Sequence, residues 1–120
     1  MNIVITSQGK ELDSMVDPRF GRAKYFIVYD LNTGEYAAID NVQNLNAAQG
    51  AGIQAGQNVI GTGAEVLITG NCGPKAFRIL SAGDLKVFKS SDGSVSENIE
   101  KYKNSELEEM KDANVEGHWV

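Results

Sequence analysis

Residues 65–75, EVLITGNCGPK, combine a strand, a turn and the start of a helix in one short stretch. The apolar run Glu65–Thr69 is typical of a central parallel strand that is buried on both faces. A Gly-containing turn follows, and Pro74 suits the first position of a helix, where a missing N–H breaks no hydrogen bond. The pattern predicts a helix over Pro74–Ala82 that ends at Gly83, which we expect in the C′ position.

On the N-terminal side, two runs rich in β-branched and aromatic residues predict strands, NIVIT at residues 2–6 and KYFIVYDL at residues 24–31. A turn signal at residues 32–34 (NTG) precedes an alternating run over Glu35–Asp40, which suits an exposed hairpin strand. Alanines at helical spacing then predict a helix from Ala47 to about Gly61. Its glycines lower helix propensity, and we expect them to permit close approach to the sheet.

On the C-terminal side, Leu85–Phe88 reads as a fifth strand, and residues 94–97 (SVSE) match a capping box at the start of a third helix. The order β-β-β-α-β-α-β-α predicts an α/β fold with a five-stranded mixed sheet and helices on both faces. We place one domain at residues 1–103 and an acidic C-terminal tail at residues 104–120.

Length and charge exclude several classes of function. A chain of 120 residues suits a single domain with one core. The net charge of −5 argues against general nucleic-acid binding, which needs a basic face. No apolar run is long enough for a bilayer, and the N-terminus lacks the pattern of a secretory signal. A cytoplasmic location without nucleic-acid or membrane partners is therefore expected.

The predicted topology brings two loops together. If the strand at residues 65–69 lies beside the strand at residues 2–6, the chain leaves these two strands toward opposite edges of the sheet. Ligands of open α/β sheets bind at such a switch point, outside the carboxyl ends of the strands. The loops at that point are Ser7–Ala23 and Gly70–Lys75, and the sequence predicts a binding site formed by Asp17–Arg22 and Gly70–Lys75.

The residue types in these loops suit an anion. Backbone N–H groups and the helix dipole favour negative charge at a helix N-terminus, and arginine guanidinium groups offer planar pairs of donors. Cys72, the single cysteine, is the candidate metal ligand, and we expect the dipole to make its thiol more acidic. The alternatives are an ordinary turn, a cysteine that packs as a small apolar residue, and a phenylalanine that plugs the sheet edge. The candidate binding residues are Arg19, Phe20, Gly21, Arg22, Gly70, Asn71, Cys72, Gly73 and Lys75.

The motifs, taken in order, resemble a known family. They are the opening strand, DPRFGRA at residues 17–23, QGAGIQAG at residues 49–56 and GAEVLITGNCGPKAFRILSAGDLKVF at residues 63–88. This order resembles the dinitrogenase iron-molybdenum cofactor biosynthesis domain, of the NifX-like and NifB C-terminal type, over residues 1–103. Such a resemblance is more specific than any single motif.

The resemblance implies a ribonuclease H-like fold and a role as a carrier, not a catalyst. Its expected cargo is an iron-sulfur or iron-molybdenum cluster or precursor, and cofactor-assembly proteins are the expected partners. A related branch, the orange protein type, carries a molybdenum-copper sulfide cluster without covalent attachment. Members often have a histidine directly before the F-G-R triplet, where this chain has Arg19, and many have a histidine-rich tail, where this chain has only His118. Both departures favour binding of an anionic cluster through charge and backbone N–H groups, or a ligand that is not a cluster.

Three hypotheses follow. The first is a carrier of an anionic metal-sulfur cluster. The second is a binding module for a phosphate-bearing small molecule or a protein partner, because helix N-termini serve phosphates equally well. The third is a nuclease-type hydrolase, which fold analogy permits and which needs clustered carboxylates with a divalent metal.

Overall fold

The structure is a computed structural model of the chain, and it describes residues 1–41 and 51–113. The first part of the helix predicted from Ala47, and His118 in the tail, lie outside the described residues. Among the described residues, no helix is long and apolar enough to span a bilayer. The elements are β1 (Asn2–Ser7), a 3₁₀ turn (Phe20–Arg22), β2 (Tyr25–Asp30), β3 (Tyr36–Asp40), α1 (Ala51–Gly61), β4 (Val66–Thr69), α2 (Pro74–Ala82), β5 (Lys86–Lys89), α3 (Val95–Lys103) and β6 (Glu109–Met110).

The strands form one mixed sheet in the order β3-β2-β1-β4-β5-β6. Strand β1 pairs antiparallel with β2 and parallel with β4, so the predicted switch point is confirmed. Strand β5 continues the parallel part beside β4, and β6 closes that side in antiparallel orientation. The carboxyl ends of β1, β4 and β5 therefore lie at the same end of the sheet, across the strand direction. We call this end the carboxyl edge, and it is distinct from the side edges that the outer strands form.

The sheet separates two apolar clusters because alternate strand residues point to opposite faces. The face covered by α1 and α2 buries Val4, Phe26, Leu67, Val87, Ala55, Val59, Ala76 and Leu80. The opposite face, covered by α3, buries Ile3, Ile5, Ile27, Ile68, Val95 and Ile99. The prediction of an α/β fold with a mixed sheet and helices on both faces is confirmed, whereas the ribonuclease H-like assignment stays a prediction.

The predicted number of strands is wrong, because the sheet has six strands, not five. The sixth, β6, comes from residues that were predicted as an acidic tail. Its residue Met110 pairs with Val87 and is buried in the core. A two-residue strand is too short to show a period in the sequence, so the acidic composition around it hid the pairing.

Two glycines act in helix packing rather than in the ways predicted. A Cβ atom at Gly56 would lie 3.2 Å from Cγ2 of Ile79, so this glycine permits close approach to α2 and not to the sheet. A Cβ atom at Gly83 would lie 2.7 Å from Cδ1 of Ile60. Gly83 has φ −87° and is the C-cap residue, so its prediction as the C′ residue is wrong. The next residue, Asp84, has the left-handed φ of 63° that is common at C′.

We expect Asp84→Gly to raise the free energy of unfolding by about 1 kcal/mol. The left-handed conformation costs a non-glycine residue roughly 1–2 kcal/mol, and glycine escapes this cost while gaining some entropy in the unfolded chain. Urea unfolding of the two proteins measures the difference. Gly83→Ala is the paired comparison, and it should lower stability because its new methyl group meets Ile60. A loss of stability in Asp84→Gly would contradict the assignment of strain to this residue.

Candidate ligand-binding site

The two predicted loops are joined directly by their backbones. Arg19 and Asn71 form an isolated parallel bridge. The N–H of Phe20 donates to the carbonyl of Asn71 at 3.2 Å, and the N–H of Asn71 donates to the carbonyl of Pro18 at 2.6 Å. A Cβ atom at Gly70 would lie 2.7 Å from Cβ of Pro18, so only glycine allows this approach. The two loops are thus one structural unit, as the topology predicts.

This unit is anchored to the two central strands by a buried pair of threonines. The hydroxyl of Thr6, in β1, donates to the carbonyl of Asp17 at 2.6 Å and lies 2.9 Å from the hydroxyl of Thr69, in β4. The N–H of Asp17 donates to the carbonyl of Thr6 at 3.0 Å. Because all three residues are buried, these bonds fix the start of the first loop against the end of the sheet.

A cleft of about 460 Å³ opens beside the first loop. The Asp17 carboxylate accepts the Arg19 backbone N–H at 3.0 Å and lies 3.5 Å from its guanidinium Nε. The Arg19 side chain is nevertheless 57% exposed, so more than half of its surface remains accessible. The cleft lining combines three cations with one carboxylate, and its residues are Gln8, Asp17, Arg19, Arg22 and Lys24. We call this space the arginine cleft, and its charge suits an anion.

Helices α2 and α3 both begin at the carboxyl edge, and of these two only α2 lacks a side-chain cap at its N-terminus. Helix α3 is closed by a capping box, as predicted, in which Ser94 and Glu97 satisfy each other's backbone N–H groups. The hydrogen bond from the Ser94 backbone holds the pKa of Glu97 below its usual value. Helix α2 has Gly73 as its N-cap, which provides no side-chain hydrogen bond, and exposed Lys75 in its first turn. The α2 N-terminus therefore retains the donors and dipole that attract an anion.

The thiol of Cys72 is not made more acidic by its position, contrary to the prediction. Its side chain is fully buried in the apolar cluster shared by Phe20 and Ala76. Burial raises the pKa of the Cys72 thiol to about 12, so the prediction of an acidified thiolate is wrong. Desolvation of the charged form outweighs the attraction of the helix dipole. Ligation of a metal by Cys72 stays a prediction, which this burial and protonation state disfavour.

We expect the buried Cys72 thiol to lower the free energy of unfolding at high pH. The thiol pKa is 9.0 in its ordinary state and about 12 in the fold, so its protonated form is equally present in both states below pH 9. As the pH rises toward 12, the unfolded chain loses the proton first, and the free energy of unfolding falls by up to about 1.4 kcal/mol per pH unit. Urea unfolding between pH 8 and about 11 should show that the free energy of unfolding falls more steeply with pH in this chain than in Cys72→Ala. Parallel declines would contradict the buried, protonated thiol.

The other predicted residues divide into lining and supporting groups. Arg19 and Arg22 line the arginine cleft, and Lys75 is exposed at the start of α2. Phe20 is fully buried and stacks on Phe26 with ring centroids 5.9 Å apart, which agrees with the alternative that it plugs the sheet. Gly21 and Gly73 are buried and line neither of the two clefts at the carboxyl edge. Gly70 and Asn71 line a second cleft, described next.

Sequence reasoning missed a third loop at the same edge, residues 89–93. It borders a second cleft of about 410 Å³, lined by Gln8, Met15, Val16, Pro18, Gly70, Asn71, Lys89, Ser90, Ser91, Asp92 and Gly93. Asn98 holds this loop, because its amide bonds both the N–H and the carbonyl of Ser91. Gln8 lines both clefts. The available signal was positional: residues that follow a parallel strand lie at its carboxyl end, and Gln8 and the third loop do so after β1 and β5.

Two other arrangements do not suit the predicted chemistry. Within residues 1–41 and 51–113, no three His, Cys, Asp or Glu side chains come together in a way that could hold a metal ion. The carboxylate cluster of the nuclease hypothesis is thus absent from the described part of the chain. A larger cleft of about 550 Å³ lies at the C-terminal end of α3. Its one cation, Lys103, already lies 3.5 Å from the Glu100 carboxylate, so this cleft does not favour an anion.

Known proteins share both the fold and much of the sequence. The orange protein from Desulfovibrio gigas, solved in its apo form, superimposes with a TM-score of 0.92 and 36% identity over 95% of this chain and 96% of that one. An NMR structure of a Thermotoga protein, provisionally named as NifB, gives a TM-score of 0.84 and 38% identity over 97% and 98% of the two chains. An uncharacterised Methanocaldococcus jannaschii protein is 25% identical over 101 residues, 82% of this chain and 86% of its own length.

The family comparison covers most of the sequence. Residues 1–105 match the family described as dinitrogenase iron-molybdenum cofactor. The matched range includes both clefts at the carboxyl edge. The chain therefore belongs to the dinitrogenase iron-molybdenum cofactor family.

Proposed function

We propose that this protein is a non-catalytic carrier of an anionic metal-sulfur cluster or cluster precursor in metallocofactor assembly or delivery. The cargo is an iron-sulfur, iron-molybdenum or molybdenum-copper sulfide species. It is held at the carboxyl edge by Arg19, Arg22 and the backbone N–H groups at the start of α2. The observation that carries the proposal is the cation-lined arginine cleft in the first loop, which is bridged through Arg19 and Asn71 to the loop that precedes α2, a helix without a side-chain cap at its N-terminus.

The donor set supports binding through charge rather than through covalent ligands. The described residues offer no group of three metal-ligating side chains, and the single cysteine is buried and protonated. A molybdenum-copper sulfide cluster whose metals are already bound by sulfide needs only hydrogen-bond donors and positive charge from the protein. The guanidinium groups of the arginine cleft provide both, and family membership supports a cargo of this class.

The same cleft supports a role without catalysis. Its one carboxylate, Asp17, accepts the Arg19 backbone N–H and lies within 3.5 Å of the Arg19 side chain, so it is already engaged. General acid-base catalysis needs a group that can exchange a proton with the substrate, and the guanidinium group of arginine is not such a group. The arrangement suits retention and release of an anion.

Anaerobic reconstitution tests the proposal. The purified chain is incubated with iron and sulfide, or with tetrathiomolybdate and copper, and then separated from unbound reagents. We expect a visible chromophore that coelutes with the protein at a constant ratio of metal to chain. Failure to take up a stoichiometric amount of metal under all of these conditions would contradict it.

A second candidate is a binding module for a phosphate-bearing small molecule. The observation that favours it is the N-terminus of α2, where Gly73 provides no side-chain cap and Lys75 is exposed, because this arrangement binds phosphate equally well. Thermal-shift measurements with nucleotides and phosphosugars separate the two candidates, since a ligand of the native state raises its apparent stability. A shift that needs no metal and disappears in Arg22→Ala would favour the phosphate ligand.

A further inference from the structure

Among the described residues, strand β3 lies at the side edge of the sheet and has little protection there. All five of its residues, Tyr36–Asp40, are exposed, and four of the five are apolar or aromatic. Tyr36 and Ile39 each retain 39% exposure. Edge strands are normally protected by proline, lysine, a bulge or a covering segment, and this strand contains neither proline nor lysine. Within the described residues, β2 is the only strand that pairs with it.

The register shows which backbone groups face outward. The N–H of Asp30 donates to the carbonyl of Glu35, and the N–H of Asn41 donates to the carbonyl of Lys24. Hydrogen-bonded and non-hydrogen-bonded pairs alternate along an antiparallel ladder. Since Ala37 lies two positions beyond Glu35, Ala37 and Ile39 bond to β2. The N–H and C=O groups of Tyr36 and Ala38 therefore point away from β2, toward the open edge.

Carboxylates surround the Tyr36 end of this strand. The Tyr36 hydroxyl donates to the Glu11 carboxylate at 2.7 Å. That hydrogen bond, together with the negative charges of Glu11 and Asp13, raises the pKa of Tyr36. On the other face, Asp30 and Glu35 line a small cleft with Tyr36. Lys10 lies near the opposite end of the strand, over the ring of Tyr25, which pairs with Asp40.

We propose that β3 is a docking edge for a partner protein, which adds an extended segment that alternates basic and apolar residues. The partner's backbone bonds the outward groups of Tyr36 and Ala38, as in other cases of strand addition. Its basic side chains lie on the face of Glu11 and Asp13, and its apolar side chains cover Ala37 and Ile39. Charge complementarity favours this occupant over a second copy of the chain, whose own β3 would bring further carboxylates to the same edge.

The docking edge and the arginine cleft can be occupied together. Tyr36 pairs with Tyr29, which pairs with Ile3 near the start of β1. The arginine cleft lies past the other end of β1, beside Gln8. A partner at the Tyr36 end would therefore hold the protein without covering the cleft. This inference does not depend on the identity of the cargo.

Peptide titration followed by NMR tests the docking edge. The probe is a capped synthetic peptide of alternating Lys and Val, and the control peptide alternates Glu and Val. We expect the Lys-Val peptide to shift the amide signals of β3 and to slow hydrogen exchange at Tyr36 and Ala38. No shift at millimolar peptide, or equal binding of the Glu-Val peptide, would overturn the proposal.

Two variants separate backbone pairing from charge. Ala38→Pro removes one outward N–H without breaking a bond to β2, and it should raise the peptide Kd roughly ten-fold. Glu11→Gln combined with Asp13→Asn should raise it about three-fold through charge alone. If the peptide Kd is unchanged both in Ala38→Pro and in the charge variant, the proposal is overturned. If Ala38→Pro fails to fold, an unchanged Kd in the charge variant alone overturns it. A concentration-dependent dimer of the chain alone, lost in Ala38→Pro, would overturn it in favour of self-pairing.

Discussion

Reversing the charge at Arg19 and Arg22 together, as Arg19→Glu with Arg22→Glu, is expected to weaken ligand binding by about 100-fold or more. A hydrogen bond to a charged group contributes roughly 1.5–3 kcal/mol, and losing two such bonds corresponds to at least two powers of ten in Kd. Repulsion of the anion by two carboxylates adds to this loss. Tetrathiomolybdate titration, followed by its visible absorption, measures the Kd of each protein.

The matched control is Arg78→Glu. Arg78 is an exposed arginine on α2, and it does not line the arginine cleft. This substitution changes the net charge by half as much as the double variant and leaves the cleft intact, so it should alter Kd by less than about three-fold. If the control weakened binding as strongly as the double variant, the ligand would respond to overall charge and the cleft would not be the site.

Gly70→Ala is expected to lower both stability and ligand binding. The new Cβ atom would lie 2.7 Å from Cβ, 2.9 Å from Cα and 3.0 Å from the carbonyl oxygen of Pro18. Two of these three atoms belong to the backbone, so the loops must separate, and the hydrogen bonds between Phe20, Asn71 and Pro18 lengthen. Overpacking of this kind costs about 1–3 kcal/mol. Urea unfolding measures the loss in stability, and tetrathiomolybdate titration measures the loss in affinity.

Gly61→Ala provides the control for this substitution. Gly61 ends α1, and a Cβ atom there would have no heavy atom within 4 Å. Alanine should therefore be neutral or stabilising by up to about 1 kcal/mol. Retention of full stability and affinity in Gly70→Ala would show that the contact with Pro18 does not hold the site together.

Much of the fold was predictable because its signals are local. Pro74 and Gly83 bound α2 correctly, and Ser94 with Glu97 marked the start of α3. The position of β4 beside β1 was a condition of the predicted switch point, and the parallel pairing of the two strands meets it. Strand β6 was not predictable, because Met110 is buried only through long-range pairing with Val87, and no local pattern records such a pairing.

The site was predictable in place but not in detail. Topology located the two loops, and the arginines were recognisable by residue type. The state of Cys72 depends on how completely Phe20 and Ala76 enclose it, which is a property of packing and not of spacing. The role of Gly70 depends on the distance to Pro18, a residue 52 positions earlier in the chain. Gln8 lies in a loop that topology placed at this edge, but it was not chosen as a site residue because an isolated glutamine carries no motif.

The buried threonine pair has an evolutionary consequence. Thr6 and Thr69 are completely enclosed, so no cargo can touch them, yet Thr6 sets the position of the Asp17 carbonyl and hence of the loop that presents Arg19. Replacing Thr6 by valine would keep the side-chain shape and leave that carbonyl without its hydroxyl donor. Mutations in the interior of the sheet can thus change which cargo is accepted while every residue on the surface stays the same. Selection on cargo preference would therefore leave traces in the core as well as in the loops.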